Sequence, residues 1–103
     1  MPSPLKLSLN QKRYLRGLAH GLSPVIMVGQ KGVTPSLLKE LDGALAHHEL
    51  VKVKLAEADR EDRAETVEAL RDASKSEVVQ TIGRVACFFR RNPKQSKVEL
   101  PRK

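Results

Sequence analysis

The sequence has few aromatic residues and a single cysteine, and each scarcity excludes a class of function. Tyr14, Phe88 and Phe89 are the only aromatic side chains of the Phe, Tyr and Trp type among 103 residues. Stacking of bases on an aromatic surface, as in RNA-recognition-motif sheets, requires residues that this chain hardly has. Cys87 has no second cysteine with which to form a disulfide. The chain therefore fits a reducing compartment, and we expect a cytoplasmic protein.

Long apolar runs and catalytic constellations are also missing. No run approaches the ~20 residues that a spanning helix needs, and we find no signal-peptide pattern. His47 and His48 are neighbours on a predicted helix, about 100° apart, so they cannot face one metal ion. The spacing of the histidines and Cys87 in the sequence does not support a catalytic set of nucleophile, base and orienting group. We therefore predict that the protein is not an enzyme, does not bind a membrane, and uses no metal, cofactor or small-molecule substrate.

Positive charge is what the chain has in excess, with 19 Lys and Arg against 12 Asp and Glu and a formal net charge of +7. A small basic domain attracts polyanions, of which nucleic acid is the commonest. Lys12, Arg16 and His20 recur every four residues in the first predicted helix, beside Arg13. Because this stripe has no acidic partner, it favours binding over an ordinary solvated face.

Two glycines lie between a predicted strand and a predicted helix. The unbroken apolar run at 25–28 predicts a strand buried on both faces. Thr34 and Pro35 then provide the N-cap and first residue of a helix. Between them the sequence GQKG, residues 29–32, forms a tight loop with Lys31 at its tip, and free N–H groups nearby suit a phosphate backbone. From these four residues alone, a plain strand-to-helix connection is an equally good interpretation.

The apolar periodicity predicts a compact α/β (α+β) domain in the order α-β-α-β-α-β-β. Strand–helix–strand units require parallel neighbours, and the turn at Gly83 and Arg84 predicts a closing antiparallel hairpin, so the four-stranded sheet is mixed. Gly43 in the second helix suggests a close helix-to-sheet approach. Residues 97–100 fit either a short edge strand or a disordered tail. The predicted helical core residues are Tyr14, Leu15, Leu18, Ala19, Leu37, Leu38, Leu41, Ala44, Leu45, His48, Ala64, Val67, Leu70 and Ala73.

Strand 50–55 alternates cleanly, which predicts Val51, Val53 and Leu55 on the core face and Lys52 and Lys54 on the outer face. Arg90 and Arg91 follow the last strand.

Four segments then match a known family in one order: LRGLAH, LSPVIMVGQKGVT, HHELVKVKL and QTIGRVACFFR. On these segments the chain resembles the CRM-domain family, specifically its stand-alone bacterial YhbY-like members. The resemblance covers residues 7–101, with 1–6 as a loose lead-in and 102–103 as the C-terminal end. It implies a domain that is similar to the C-terminal domain of translation initiation factor three and that binds RNA without catalysis. The family's bacterial members are associated with precursors of the large ribosomal subunit.

The family's GxxG loop carries over to residues 29–32, where such domains are thought to meet RNA. We therefore expect a monomer that binds structured ribosomal RNA during large-subunit assembly. A protein-interaction factor that docks an acidic protein or an assembled ribosomal surface is the alternative. The predicted RNA-binding residues are Gly29, Gln30, Lys31, Gly32, Lys12, Arg13, Arg16, Lys52, Lys54, Arg90 and Arg91.

Overall fold

The computed structural model describes residues 7–29, 32–56 and 59–91. Three helices and four strands follow one another in the predicted order, and the sheet has the strand order β1-β2-β4-β3. β1 pairs with β2 in parallel, while β4 is antiparallel to both β2 and β3. The predicted α+β fold with a mixed four-stranded sheet is thus confirmed. The elements are α1 (Leu9–His20), β1 (Ile26–Val28), α2 (Pro35–His48), β2 (Leu50–Leu55), α3 (Arg60–Ser74), β3 (Glu77–Ile82) and β4 (Val85–Phe89).

Each helix begins directly after a residue whose side chain caps it, and for α2 this residue is the predicted Thr34. The hydroxyl of Ser8 accepts the Gln11 N–H at 3.1 Å, and the Gln11 side chain accepts the Ser8 N–H at 2.9 Å, which completes a capping box. Thr34 caps α2, and Asp59 caps α3 through the N–H groups of the first turn. These side chains satisfy N–H groups that have no partner within the helix.

The sheet separates two apolar clusters. Side chains alternate along a strand, so Val51, Val53 and Leu55 of β2 pack on one face, against α2 and α3. Leu50 points to the other face and packs with Phe89 and with α1. None of the helices in the described ranges is long and apolar enough to cross a membrane.

A β-bulge changes this alternation in β3. Val78 pairs with Phe88, and the next paired residue is Gln80, opposite Cys87. Val79 packs under α1, and Gln80 lines a cavity on the same side of the sheet. The extra residue therefore directs two consecutive side chains to the α1 face.

The core prediction was wrong where it assumed that each helix is covered along its whole apolar stripe. In α1 only Leu15 and Ala19 are buried, whereas Tyr14 is 43% and Leu18 39% exposed. His48, Ala64 and Ala73 are exposed as well, because they lie beyond the surfaces that α2 and α3 press against the sheet. Gly43 is also exposed, and a Cβ added there would meet no heavy atom within 4 Å, so no close helix approach requires this glycine.

The prediction that the first strand is buried on both faces was also wrong. Ile26 and Val28 are buried, but Met27 between them is 63% exposed. β1 is an edge strand, and α1 packs on β2 and β3 instead, so the outer face of β1 has no helix above it. The possible tail strand at 97–100 lies outside the described residues.

Candidate nucleic-acid interface

The two glycines of the GxxG loop close a tight turn between β1 and α2. The Gly32 N–H donates to the Gly29 carbonyl oxygen at 3.0 Å, the bond that joins the first and fourth residues of a β-turn. Gly32 has a φ of 70°, a left-handed conformation that other residues rarely adopt. Gln30 and Lys31, the two central positions, lie outside the described residues.

An open groove of about 850 Å³ runs beside this turn. Met27 and Gly32 border it on the loop side, and Ser36, Lys39 and Glu40 border it on the α2 side. The first turn of α2 carries no acidic residue. The N-terminus of this helix therefore keeps its partial positive charge at the wall of the groove.

The basic side chains of α1 differ in whether they contact the sheet. Arg13 is exposed and Lys12 partly buried, and neither forms an ion pair within the described part of the chain. Arg16 instead bends toward β3, where its Nε lies 3.4 Å from the Val79 carbonyl oxygen. Lys12 and Arg13 are thus the members of the stripe that remain available to a ligand.

The two lysines on the outer face of β2 have different surroundings. The Lys52 Nζ donates to the carbonyl oxygens of Ala19 at 3.0 Å and Leu22 at 3.1 Å, at the end of α1. Lys54 is exposed and makes no hydrogen bond or ion pair to any residue that the structure describes. The alternating pattern of the sequence did not distinguish them.

Arg90 joins three elements of the fold. Its guanidinium donates to the Asp42 carboxylate at 2.7 Å, to the Asp42 carbonyl at 3.0 Å and to the Ser74 carbonyl at 2.9 Å. These bonds connect the end of β4 to α2 and to the end of α3. Arg91, the next residue, is exposed.

The acidic residues lie almost entirely on one side of the sheet, where they outnumber the Lys and Arg residues of α2, α3 and their caps. α1 contributes Lys12, Arg13 and Arg16 and contains no acidic residue. Among residues 7–29, 32–56 and 59–91, Glu77 in β3 is the one acidic residue outside α2, α3 and their caps. The acidic residues of those two helices and caps are Glu40, Asp42, Glu49, Asp59, Glu61, Asp62, Glu65, Glu68 and Asp72.

A row of side chains crosses the sheet beyond the end of α1. Met27, Lys54, Val85 and Ile82 occupy paired positions on the four strands. Met27 and Ile82 are 63% and 59% exposed, so this outer row is open to solvent. Sequence reasoning identified Lys54 but missed the three apolar members, because the part of the sheet that α1 covers depends on tertiary packing.

Comparison with known proteins assigns the chain to a family. Residues 7–90 match the CRS1 / YhbY (CRM) domain model. The chain belongs to the CRS1/YhbY (CRM) domain family. The predicted resemblance is therefore confirmed, and the CRM domain accounts for every helix and strand described above.

Two relatives and one solved structure match this CRM domain over most of their own length. The chain is 46% identical over 97 residues to an RNA-binding protein of Haemophilus influenzae, covering 94% of this chain and 97% of that protein. It is 43% identical over 93 residues to a probable RNA-binding protein of Pseudomonas aeruginosa, covering 90% and 89%. The solution structure of a hypothetical Staphylococcus aureus protein superposes with a TM-score of 0.81 at 36% identity, covering 93% of this chain and 100% of that one.

Proposed function

We propose that this CRM-domain protein binds RNA without catalysing a reaction, and that its target is structured ribosomal RNA during assembly of the large subunit. The observation that carries the proposal is the one-sided charge: cations without acidic partners lie on the α1 face, and the acidic residues lie almost entirely on the other helices. A polyanion is attracted to the first face and repelled by the second. The names of the Haemophilus and Pseudomonas relatives support RNA as the ligand.

The proposed contacts fall into two groups. Lys12, Arg13 and Lys54 contact phosphates, because their charges are not used within the described fold. Lys31 and Gln30, held between the two glycines, bring the turn against the RNA backbone. Arg91, which is exposed, is a further proposed phosphate contact.

Arg16, Lys52 and Arg90 contribute less to RNA binding in this proposal, since each already donates hydrogen bonds to backbone carbonyls of neighbouring elements. Their main effect on RNA is indirect. They hold α1 and the end of β4 in the positions from which the other cations act.

The uncovered apolar row favours a second candidate function, a protein-interaction factor that docks an acidic protein or an assembled ribosomal surface. Exposed apolar side chains such as Met27 and Ile82 are typical of protein contacts when they form a continuous patch. Association with ribosomal particles that survives complete nuclease digestion would support this second candidate. Association lost with the RNA supports direct RNA binding.

The deciding experiment replaces Gln30 and Lys31 together by aspartate. Both glycines remain, so we expect the turn and the melting temperature to be retained while two negative charges face the phosphates. The expected loss of RNA affinity is about 2 kcal/mol or more, roughly thirtyfold. Affinity is measured by fluorescence anisotropy with a structured ribosomal RNA fragment at fixed salt.

A charge-matched control changes the end of α3. The Ala73→Asp, Lys75→Asp variant also lowers the net charge by three units, at exposed positions. We expect it to keep most of the parent's affinity, because the end of α3 leads into Glu77 at the Leu50 end of the sheet, whereas the glycine turn follows Val28 at the Leu55 end. If the loop variant melts and binds like the parent, the glycine loop is only a connection, and the interface must centre on Lys12 and Arg13 of α1.

A further inference from the structure

A cavity of about 190 Å³ lies between the end of α1 and the sheet. The apolar part of its wall comes from Ala19 on the helix and from Ile82, Val85 and Cys87 on β3 and β4. It exists because α1 ends at His20, before it reaches the outer row of the sheet. Burial raises the pKa of the Cys87 thiol, an effect that the charge of Lys52 partly offsets, so this wall is a neutral thiol at physiological pH.

One group that lines the cavity is a side-chain amide without a partner among the residues that the structure describes. The β-bulge turns Gln80 toward the α1 face, where its side chain is half-buried and lines the cavity. Its amide makes no hydrogen bond to any of the residues that the structure describes. An amide offers two N–H donors and a carbonyl acceptor, and partly buried polar groups normally find a partner. The Lys52 ammonium at the cavity already donates hydrogen bonds to the carbonyl oxygens of Ala19 and Leu22.

Size and charge together narrow the ligand. At about 190 Å³ the cavity is smaller than the 300–1,000 Å³ typical of sites for drug-sized ligands and cofactors, so it accommodates one small group, not a whole cofactor. His20 and Lys52 border it, and none of the acidic side chains in residues 7–29, 32–56 and 59–91 does. A flat, uncharged ring attached to an anionic chain fits these conditions.

We propose that this cavity accepts one unpaired base of the bound RNA, with its edge hydrogen-bonded to the amide of Gln80 and its faces against Ile82 and Val85. The proposal rests on the RNA-binding function proposed above and specifies what the RNA must offer. Adenine suits the amide best, since glutamine donates to N7 and accepts from the N6 amino group. Single-stranded loops and bulges supply such bases, whereas bases within a helix are stacked and paired.

The outer row connects the cavity to the glycine turn. Lys54 pairs with Met27 on one side and with Val85, a wall of the cavity, on the other. Neighbouring strands are about 4.8 Å apart, so Met27 and Val85 are separated by about 10 Å. RNA that crosses this row can place a phosphate at Lys54 while a neighbouring base enters the cavity.

The test compares two RNA hairpins that differ by one bulged adenosine. We expect the parent protein to bind the bulged hairpin about tenfold more tightly than the fully paired one. Gln80→Leu removes the hydrogen-bonding edge, and Val85→Phe fills the space. Both variants should lose most of the preference but keep the parent's affinity for the paired hairpin. Thr81→Leu is the matched control, because Thr81 pairs with Ala86 on the other face of the same strands and should retain the preference.

NMR provides a readout that does not depend on affinity. The amide resonances of Ala19 and Cys87 and the side-chain amide of Gln80 should shift with the bulged hairpin and remain unchanged with the paired one. Equal affinity of the parent for both hairpins would overturn the inference while leaving RNA binding intact. An undiminished preference in a folded Val85→Phe protein would overturn it too. If the parent binds neither hairpin, the RNA-binding proposal fails, and this inference fails with it.

Discussion

The ammonium group of Lys52 lies 3.0 Å from the carbonyl oxygen of Ala19 in the last turn of α1. Carbonyls in the last turn of a helix have no partner within the helix, and the helix dipole makes this end partly negative, so a cation here stabilises it. Lys54 follows on the same face of β2 without such a contact. Lys52 therefore connects α1 to the sheet, whereas the charge of Lys54 is exposed to solvent.

Methionine at each of these positions should separate the two roles. Lys52→Met removes two charged hydrogen bonds to carbonyls, and we expect the free energy of unfolding to fall by about 1–2 kcal/mol. Lys54→Met should change it by less than about 0.5 kcal/mol but weaken RNA binding. Urea denaturation and anisotropy titrations at one salt concentration measure both quantities. Equal losses of stability in the two variants would contradict the assignment.

Arg90 should matter for stability more than its neighbour Arg91. Arg90→Ala removes a planar fork that joins β4 to α2 and α3, and we expect a loss of about 2 kcal/mol in the free energy of unfolding. Lysine should restore little of it, because an ammonium cannot reproduce the fork. Arg91→Ala, at an exposed position, should change stability by less than about 0.5 kcal/mol.

The same network predicts a minor effect for Asp42→Asn. The Asp42 side chain is 66% exposed, and exposed ion pairs contribute about 0–1 kcal/mol. The carbonyl contacts of Arg90 remain in that variant, so thermal denaturation should show most of the parent's stability. A loss as large as that of Arg90→Ala would show that the ion pair dominates.

The two glycines of the loop should respond differently to alanine. Gly32 has a left-handed φ, so Gly32→Ala should destabilise the fold by about 1 kcal/mol. Gly29 has no such φ, and a Cβ added there would meet no heavy atom within 4 Å. Gly29→Ala should therefore leave the melting temperature close to the parent's, and any loss of RNA affinity in that variant reports close approach of a ligand. Equal destabilisation by both changes would contradict this difference.

RNA affinity should fall steeply with salt, because few aromatic side chains are available and phosphate neutralisation must dominate. Lys54→Met should reduce the slope of log K against log salt by about 1. Gln80→Leu removes no cation and should leave the slope unchanged even where affinity falls. Titrations between about 50 and 200 mM salt measure both slopes, because an affinity that depends on phosphate contacts changes by orders of magnitude over this range. An affinity that is constant across this range would exclude the phosphate-based mode.

Patterns of a few residues predicted the elements and their order well. The Thr34 cap and the Gly83 turn depend on interactions between residues close in sequence, so their signals are local. The alternation in β2 likewise placed Val51 and Val53 correctly, because a strand's side chains must alternate. Family resemblance then supplied the fold as a whole.

The exposure of individual apolar residues could not be predicted from the sequence, because it depends on which part of the sheet each helix covers. Tyr14 and Leu18 belong to the apolar side of α1, but Leu15 and Ala19 are the apolar residues of this helix that are buried against the sheet. Met27 lies in an unbroken apolar run and is still exposed, since β1 is an edge strand. The orientation of Gln80 follows from the β-bulge, a one-residue shift in the pairing of β3 with β4. The sequence of a single strand does not predict such a shift.

The segregation of charge between α1 and the helices on the other face makes the described part of the molecule an electric dipole. Near a polyanion such a dipole experiences a torque as well as an attraction, so it turns its α1 side forward before any atoms touch. Orientation is then chosen during diffusion, at distances of about a Debye length, and a larger share of encounters begins productively. Reversing one α1 cation would slow association far more than it speeds dissociation.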